Sequence, residues 1–259
     1  MIASLILVLS ASLNAAAMKG CPSDNAWTNG PDWDVGQKLD GFDREALIHA
    51  LHPDKFGLSE KILGVGVKPW PRVPGTFVAL QEEEILQSSQ SGDKIAQKRW
   101  FVAMVRPGNP IQVIARPKKY FPYQPEYSFN RFDLAPYRLN SKEYAFGLRW
   151  CHVLEVHAGV AAGNYYGWEF LDLFRVRDGV IEPILSTPMY FYATDGGEEH
   201  AASLSVSKKS TDGFLDLIKT AGKAKPAVFR WDGRAFVTKD MDPFLSLQSE
   251  DDRAEMYQE

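Results

Sequence analysis

The sequence predicts a mainly β protein in which antiparallel hairpins form a sandwich or a partial propeller-like sheet, with a short N-terminal helical segment. Apolar and polar residues alternate with period two through much of residues 100–237, as they do in half-buried strands. Turn residues separate these runs in hairpin fashion. The 259 residues are 45% hydrophobic, enough to fill one larger β domain.

The N-terminus has the composition of a secretory signal peptide. Residues 1–17 read "MIASLILVLSASLNAAA", an apolar run followed by small residues that offer an A-x-A cleavage site after Ala17. The run is too short to span a bilayer comfortably, and no later window is apolar enough to do so. We therefore expect export to the periplasm or secretion, with no transmembrane segment after signal removal.

Residues 18–98 are expected to form an irregular leader with one short helix. Gly, Pro, Asp and Asn are frequent between Cys21 and Asp40, as they are in loops. The stretch from Asp43 to Leu51, "DREALIHAL", has helical spacing, and Asp43 is a suitable cap. Pro53 is expected to end this helix.

Residues 99–242 are expected to form the β-rich domain, and residues 243–259 an acidic tail. A strand is expected from Tyr144 to His157. The predicted hairpins join Trp100–Arg106 to residues 111–116 through "PGNP", Phe170–Arg177 to residues 180–186 through Asp178-Gly179, and Ala227–Trp231 to residues 234–237 through Asp232-Gly233. The two Asp-Gly pairs favour type I′ turns. The aromatic and proline-rich segment 118–137 is expected to be a crossover loop.

The two cysteines of the chain, Cys21 and Cys151, allow one intramolecular disulfide. Such bonds persist in the oxidising compartments to which a signal peptide leads. In the chain-entropy model, closing a loop of about 130 residues stabilises the fold by about 4–5 kcal/mol. The alternative is that Cys151 is a small buried apolar residue and that Cys21 lies in the leader.

The charge balance and the motif content narrow the range of functions. A net charge of −4 argues against a surface that neutralises phosphate backbones, so nucleic acid is not an expected partner. The sequence contains no Walker loop, dinucleotide fingerprint, G-x-S-x-G or H-E-x-x-H. We therefore expect no cofactor and assign no catalytic residues.

The sequence offers only weak metal-ligand patterns, so no metal site is predicted. In a strand from 144 to 157, His152 and His157 point to opposite faces, whereas Glu155 and His157 share one face but lack a third ligand. A predicted loop at 194–203 holds four weak calcium candidates. These are Asp195, Glu198, Glu199 and His200. Their spacing fits no EF-hand.

A predicted loop at residues 159–168, "GVAAGNYYGW", combines glycines with large amphipathic rings. Aromatic side chains on a loop carried by a rigid sheet are typical of binding surfaces. The predicted contact residues are Asn164, Tyr165, Tyr166 and Trp168. The alternative is that these rings fold back over the core.

The favoured functional hypothesis is a non-catalytic binding protein, such as an inhibitor or immunity-type factor, that acts on another protein or an envelope component. One alternative is a cell-envelope hydrolase that uses paired carboxylates, either Glu169 with Asp172 or Glu155 with His157. Because Glu169 and Asp172 are three residues apart, a strand places them on opposite faces, which disfavours that pair. A structural envelope component is the remaining alternative.

Overall fold

The fold is described here from a computed structural model of the whole chain. The described residues are 38–39, 41–51, 61–88, 94–118, 127–156, 164–193 and 198–243. Within these ranges the side chains of 38, 61, 85–88, 94–98, 127, 153–156, 164–166, 193 and 198 lie outside the description. The predicted signal peptide and residues 244–259 of the predicted acidic tail also lie outside it.

The described part of the chain contains one helix and fourteen strands. The N-terminal elements are β1 (Lys38–Leu39), β2 (Phe42–Asp43), α1 (Arg44–Leu51), β3 (Lys61–Pro69), β4 (Phe77–Ser88), β5 (Lys94–Arg106) and β6 (Gln112–Ala115). The C-terminal elements are β7 (Tyr127–Arg138), β8 (Tyr144–Val156), β9 (Asn164–Arg177), β10 (Val180–Ala193), β11 (Glu198–Thr211), β12 (Phe214–Ala221), β13 (Ala227–Trp231) and β14 (Phe236–Val237).

The predicted mainly β, antiparallel architecture with a short helix is confirmed. Strands β3 to β6 form a four-stranded sheet in sequence order, and β7 to β14 form an eight-stranded sheet, also in sequence order. Strands β1 and β2 pair separately. Neighbours along the chain are therefore neighbours in space, as the hairpin pattern predicts.

The two larger sheets pack on each other in a sandwich-like way through a shared apolar core. From the four-stranded sheet this core takes Leu80, Trp100 and Met104, and from the eight-stranded sheet it takes Phe146 and Trp150, all buried. Several rings meet edge to face, for example Trp100 and Trp150, whose centroids are 5.1 Å apart. We call this side of the eight-stranded sheet the inner face.

The opposite face of the eight-stranded sheet, here called the concave face, is covered by the same sheet as it curls. Leu171 and Leu173 of β9 share a second buried cluster with Phe229 and Trp231 of β13. The backbone N–H of Leu215, in β12, donates to the carbonyl of Leu139, just after β7, at 2.6 Å. Strands far apart in the sheet order thus face each other.

A third layer covers the outer side of the four-stranded sheet. Leu47 and Leu51 of α1 pack with Phe42 against residues of β3 and β5. Asp43 caps the helix as predicted, because its carboxylate accepts the N–H of Ala46 at 2.9 Å.

The tight turns follow the Asp-Gly signal with one exception. Asp178 and Gly179, between β9 and β10, both have positive φ, as a type I′ turn requires. The β13–β14 hairpin is present, but Trp231 pairs with Phe236 across a four-residue connection. There the carboxylate of Asp232 accepts two backbone N–H groups, so the predicted two-residue turn is wrong at that hairpin.

The prediction of an irregular leader through residue 98 is also wrong for its last part. Strands β3 and β4 lie within it, and the expected boundary at residue 99 falls inside β5. Gln81 and Glu83 interrupt the apolar alternation of β4, although both are buried. Glu83 is neutralised by Arg99 of β5 at 2.7 Å, which allows a charged residue inside this strand.

The expected crossover loop at 118–137 is largely a strand, since β7 begins at Tyr127. This strand lies at the edge of its sheet, where Pro136 removes no pairing hydrogen bond that the sheet needs. Register shifts near Asn130 and between Asp133 and Tyr137 break its alternation and hide it in the sequence.

Candidate functional site

The predicted contact residues lie in strand β9 rather than in a loop. Asn164, Tyr165 and Tyr166 pair with the last three residues of β8. Tyr166 is also the register partner of Ala193 at the end of β10. The three residues therefore stand at the end of a ladder of strands, and their side chains lie outside the described part of the structure.

Trp168, the fourth predicted contact residue, is fully buried and cannot serve as an exposed anchor. Its ring lies 5.6 Å from that of His152 and 5.5 Å from that of Phe191, on the two neighbouring strands. The ring of His200 extends this row on β11. The alternative that the rings join the interior is correct for Trp168, because strand pairing on both sides encloses it.

The two calcium candidates whose side chains the structure describes do not point to a common site. Glu199 and His200 are successive residues of β11, opposite Tyr192 and Phe191, and so face opposite sides of the sheet. Asp195 lies outside the described residues, as does the side chain of Glu198. Among the residues that the structure describes, no three His, Cys, Asp or Glu side chains gather in a metal-binding group.

Cys151 is buried and takes part in a disulfide bond. Its predicted partner, Cys21, lies outside the described residues. Strand alternation places Cys151 on the concave face of β8, two residues beyond Arg149. The disulfide is therefore attached to the same face, and the same end of the strand, as a cluster of buried charges.

That cluster has Arg149 at its centre. The Nε of Arg149 donates to the carboxylate of Asp133 on β7 at 2.7 Å, and its Nη1 donates to the carboxylate of Glu169 on β9. Burial opposes the charged form of Arg149, but the charges of Glu169 and Asp133 outweigh it and raise the pKa of the guanidinium. Arg149 thus links three neighbouring strands while it remains ionised.

Further donors complete the coordination of both carboxylates. The amide of Asn130 donates to Glu169 at 2.6 Å, and Arg131 approaches the same carboxylate at 3.4 Å. The hydroxyl of Tyr137 donates to Asp133 at 3.1 Å. Burial, and then the charge of Asp133, raises the pKa of the Tyr137 hydroxyl above its usual range. We call Asn130, Arg131, Asp133, Tyr137, Arg149 and Glu169 the Arg149 cluster.

The Arg149 cluster is suited to fixing strands in place more than to moving protons. Its two cations balance its two anions, and the carboxylates accept hydrogen bonds from side chains of the cluster and, at Asp133, from the backbone N–H of Ala135 at 3.2 Å. Carboxylates that are paired with a guanidinium shared between three strands hold those strands in a fixed arrangement.

Sequence reasoning missed Arg149 and Asp133, although a faint signal exists. Gly147 precedes Arg149 by two residues on the same face, and a Cβ there would lie 3.1 Å from the Cβ of Asp133. A glycine and an arginine at alternate positions of an apolar strand indicate a side chain reaching across from a neighbouring strand.

A second buried ion pair holds the segment that follows β14. The ammonium of Lys219 on β12 donates to Asp242 at 2.7 Å and to the hydroxyl of Thr187 on β10 at 2.8 Å. Burial lowers the pKa of Lys219 to about 8, against the opposing effect of Asp242. These contacts connect β10, β12 and the end of the described chain.

The carboxylates of the alternative hydrolase hypothesis are separated as the sequence predicts. Glu169 lies in the Arg149 cluster on the concave face, whereas Asp172, three residues later in an unshifted ladder with β8, lies on the inner face. Burial raises the pKa of Asp172 to about 6, although Ser186 and Trp150 favour its charged form. His157 and the side chain of Glu155 lie outside the described part of the structure, so the second pair stays untested.

Comparisons with known protein families, with characterised proteins and with solved structures gave no match. In the described residues, no helix has the length and apolar character needed to cross a membrane.

Proposed function

We propose that this chain is an exported, non-catalytic binding protein that presents the end of the β8–β9 hairpin to another protein or an envelope component. The observation that carries the proposal is the ladder between these strands. It runs without a register shift from Ala145 paired with Arg175 to Val156 paired with Asn164. Contact residues at the end of such a ladder are held on rigid elements, which lowers the entropic cost of binding.

The Arg149 cluster supports the same assignment. It ties β7, β8 and β9 together on the concave face, a few residues before the strands reach Asn164. Trp168 contributes from the inner face, where its ring packs between those of His152 and Phe191. Charge pairing and ring packing thus brace the hairpin on both faces.

Export is the part of the proposal that rests on residues 1–17. The disulfide at Cys151 is consistent with an oxidising compartment, where structural disulfides persist. We propose that the protein acts in the periplasm or outside the cell, as an inhibitor, an immunity-type factor or another non-catalytic binder.

The experiment is a capture of partners from envelope extracts, analysed by mass spectrometry. Tyr165→Ala/Tyr166→Ala is compared with a control pair, Val237→Ala/Met241→Ala, which removes apolar side chains that are 46% and 71% exposed elsewhere. We expect the wild type and the control to retain one partner and the tyrosine variant to lose it. Equal recovery from the folded tyrosine variant would refute the assignment.

A further inference from the structure

Basic residues are concentrated in one part of this acidic chain. Residues 61–81 and 94–125 contain ten Lys and Arg but no Asp or Glu, so all 33 acids lie elsewhere in the sequence. The net charge of −4 hides this separation. Because the electrostatic field at a protein surface depends on where the charges lie, a chain with a negative total can still carry a positive region.

The turns of this basic part meet at one end of the sandwich. Between β3 and β4, the guanidinium of Arg72 lies 5.5 Å from the ring centroid of Tyr144, the first residue of β8. Arg106, at the end of β5, reaches the same turn, where its Nε donates to the Oγ1 of Thr76 at 3.4 Å. Tyr144 is the register partner of Arg138, the last residue of β7, so three arginines from different turns are neighbours.

The segment after β6 reaches this end from the other side. The backbone N–H of Arg116 donates to the carbonyl of Gly179, in the β9–β10 turn, at 3.2 Å. Lys118 follows two residues later, and Lys142 lies in the connection between β7 and β8. The exposed basic residues of these segments are here called the basic end: Arg72, Arg106, Arg116, Lys118, Arg138 and Lys142.

The basic end is not neutralised by neighbouring carboxylates. Among the described residues, ion pairs involve other arginines and lysines, such as Arg177 with Asp178 in the β9–β10 turn. Glu143 is the remaining acid of the connecting turns, against six exposed cations. Like charges that lie close together repel one another, so an anionic surface that covers them is favoured. Four of the six are arginines, whose guanidinium groups bind phosphate through two parallel hydrogen bonds.

Apolar residues lie between these cations. Val113 of β6 is 36% exposed and is one of the large apolar side chains that the described chain leaves open to solvent. Pro107 and Pro110 are exposed in the β5–β6 turn, as are Pro71 and Pro74 in the β3–β4 turn. Cations around apolar turn residues match a membrane surface, where phosphate headgroups lie above the boundary of the acyl chains.

The aromatic side chains of this region favour lipid over single-stranded nucleic acid. Trp70 is buried in the core, and Tyr144 lies beneath the guanidinium of Arg72. Neither ring therefore offers an open face on which a base could stack, which is how proteins bind single strands without sequence preference.

We propose that the basic end binds a membrane surface that contains anionic phospholipids. Its guanidinium and ammonium groups contact the lipid phosphates, and Val113 and the exposed prolines contact the boundary of the acyl chains. The β8–β9 ladder runs from the pair Ala145–Arg175, near this end, to the pair Val156–Asn164, about 35 Å away. A membrane-bound molecule therefore points residues 164–166 away from the lipid. Lipid binding goes beyond the proposed function and does not depend on it.

Co-sedimentation of the full chain with vesicles tests the proposal. The vesicles are phosphatidylcholine alone, or phosphatidylcholine with about one third phosphatidylglycerol. We expect binding to the anionic vesicles to be at least about tenfold stronger than to the neutral ones. A rise from about 0.05 M to about 0.5 M salt should abolish this difference, because exposed charges are screened. Every variant keeps residues 1–17, so their apolar character contributes equally throughout.

Matched variants locate the surface. Each basic residue near an anionic membrane contributes roughly fivefold to binding, so Arg116→Gln/Lys142→Gln is expected to weaken it about 25-fold. Lys223→Gln/Lys225→Gln is the control, because it removes the same charge from exposed positions in the β12–β13 turn. None of these four side chains forms an ion pair or hydrogen bond within the described residues, so all four changes should leave the fold intact.

A second pair of variants tests the apolar contribution. Val113→Asn is expected to weaken binding to anionic vesicles severalfold. Val237→Asn, which changes a side chain that is 46% exposed in β14, should leave it unchanged.

The proposal is overturned if the chain binds neutral and anionic vesicles equally, or if the two lysine and arginine variants bind alike. Binding to heparin or duplex DNA without binding to anionic vesicles would also overturn it, because the basic end would then recognise a soluble polyanion. Since Tyr165→Ala/Tyr166→Ala leaves the basic end intact, vesicle binding by that variant separates a failure of the proposed function from a failure of this surface.

Discussion

At the scale of single residues, the buried charges of the concave face depend on Arg149. Its guanidinium is the link between Asp133 and Glu169, which lie on the strands to either side of β8. Without it, both carboxylates keep their buried positions but lose their main counter-charge. The cost of an uncompensated buried charge is much larger than the value of an exposed ion pair.

We expect Arg149→Met to lower the free energy of unfolding by about 3–5 kcal/mol, the range typical of a broken buried pair. Urea unfolding measures the change. Arg177→Met is the control. Arg177 is 62% exposed, and its ion pair with Asp178 in the turn, at 3.6 Å, is open to solvent. That variant should lose less than about 1 kcal/mol. Equal losses in the two variants would contradict a structural role for the Arg149 cluster.

Asp172 gives a pH-dependent prediction at the same scale. Its pKa is about 6 in the fold against an ordinary value of 3.8, so the native state binds the proton more tightly than the unfolded state. Stability from this residue is present at low pH and is lost as pH rises from about 4 to above 6. The difference corresponds to about 3 kcal/mol at most.

Asp172→Asn removes this dependence because an amide does not ionise. We expect the variant to be more stable than the wild type at pH 8, by up to about 3 kcal/mol, and nearly equal to it at pH 3.5. Chemical denaturation at both pH values measures this, with Asp178→Asn as the exposed control. A variant that is less stable than the wild type at pH 8 would show that the carboxylate is favourably compensated.

At the scale of elements, the turns show how closely local chemistry sets the fold. Asp212 and Gly213, between β11 and β12, both have positive φ, like the pair at the β9–β10 turn. The sequence contains this Asp-Gly signal as plainly as the others, and it was predictable by the same argument. By contrast, Asp232-Gly233 follows a different geometry because the Asp232 carboxylate binds the backbone beyond it.

Substitution of Gly213 tests the left-handed turn directly. Nothing lies within 4 Å of a Cβ built on this residue, so a side chain there meets no steric clash and only the backbone conformation is affected. Gly213→Val is therefore expected to be destabilising by backbone strain alone, by about 1–3 kcal/mol. Gly213→Asn is the matched variant, and it should lose clearly less because asparagine tolerates the left-handed region. Thermal unfolding compares them, and equal losses would argue against a left-handed turn.

Other elements were harder to predict for physical reasons. Strand β4 carries two buried polar residues, Gln81 and Glu83, so its sequence lacks the apolar alternation of a half-buried strand. Glu83 is tolerated there because it pairs with Arg99 of β5, which is distant in sequence. Strand β9 begins at Asn164 because β8 and β10 continue beside it, which no local signal reveals. Partners that are distant in sequence decide both cases.

At the scale of the whole molecule, the hairpin order was predictable and the curl of the large sheet was not. Each hairpin has its own turn signal, and antiparallel neighbours follow. The approach of Leu215 to Leu139 joins strands with no common turn. Of the candidate site, the sequence indicated Asn164, Tyr165 and Tyr166, while the burial of Trp168 depends on two flanking strands.

The disulfide gives a prediction at this scale, because a Cys21–Cys151 bond closes about 130 residues. We expect Cys21→Ser to lower the free energy of unfolding by about 2–5 kcal/mol, and dithiothreitol to lower that of the wild type by a similar amount. Urea unfolding with and without reductant measures both changes. Two free thiols in the unfolded, unreduced wild type would contradict the bond, and a reducible dimer would contradict its intramolecular pairing.

The proposed function requires the end of the β8–β9 ladder to be a contact surface. Site-specific photo-crosslinking in living source cells tests it most directly, with a benzophenone amino acid at Tyr165 or Tyr166 and, as control, at the 71% exposed Met241. We expect one discrete crosslinked partner from the tyrosine positions and none from Met241. Absence of an adduct from both tyrosine positions, or the same adduct from Met241, would contradict it.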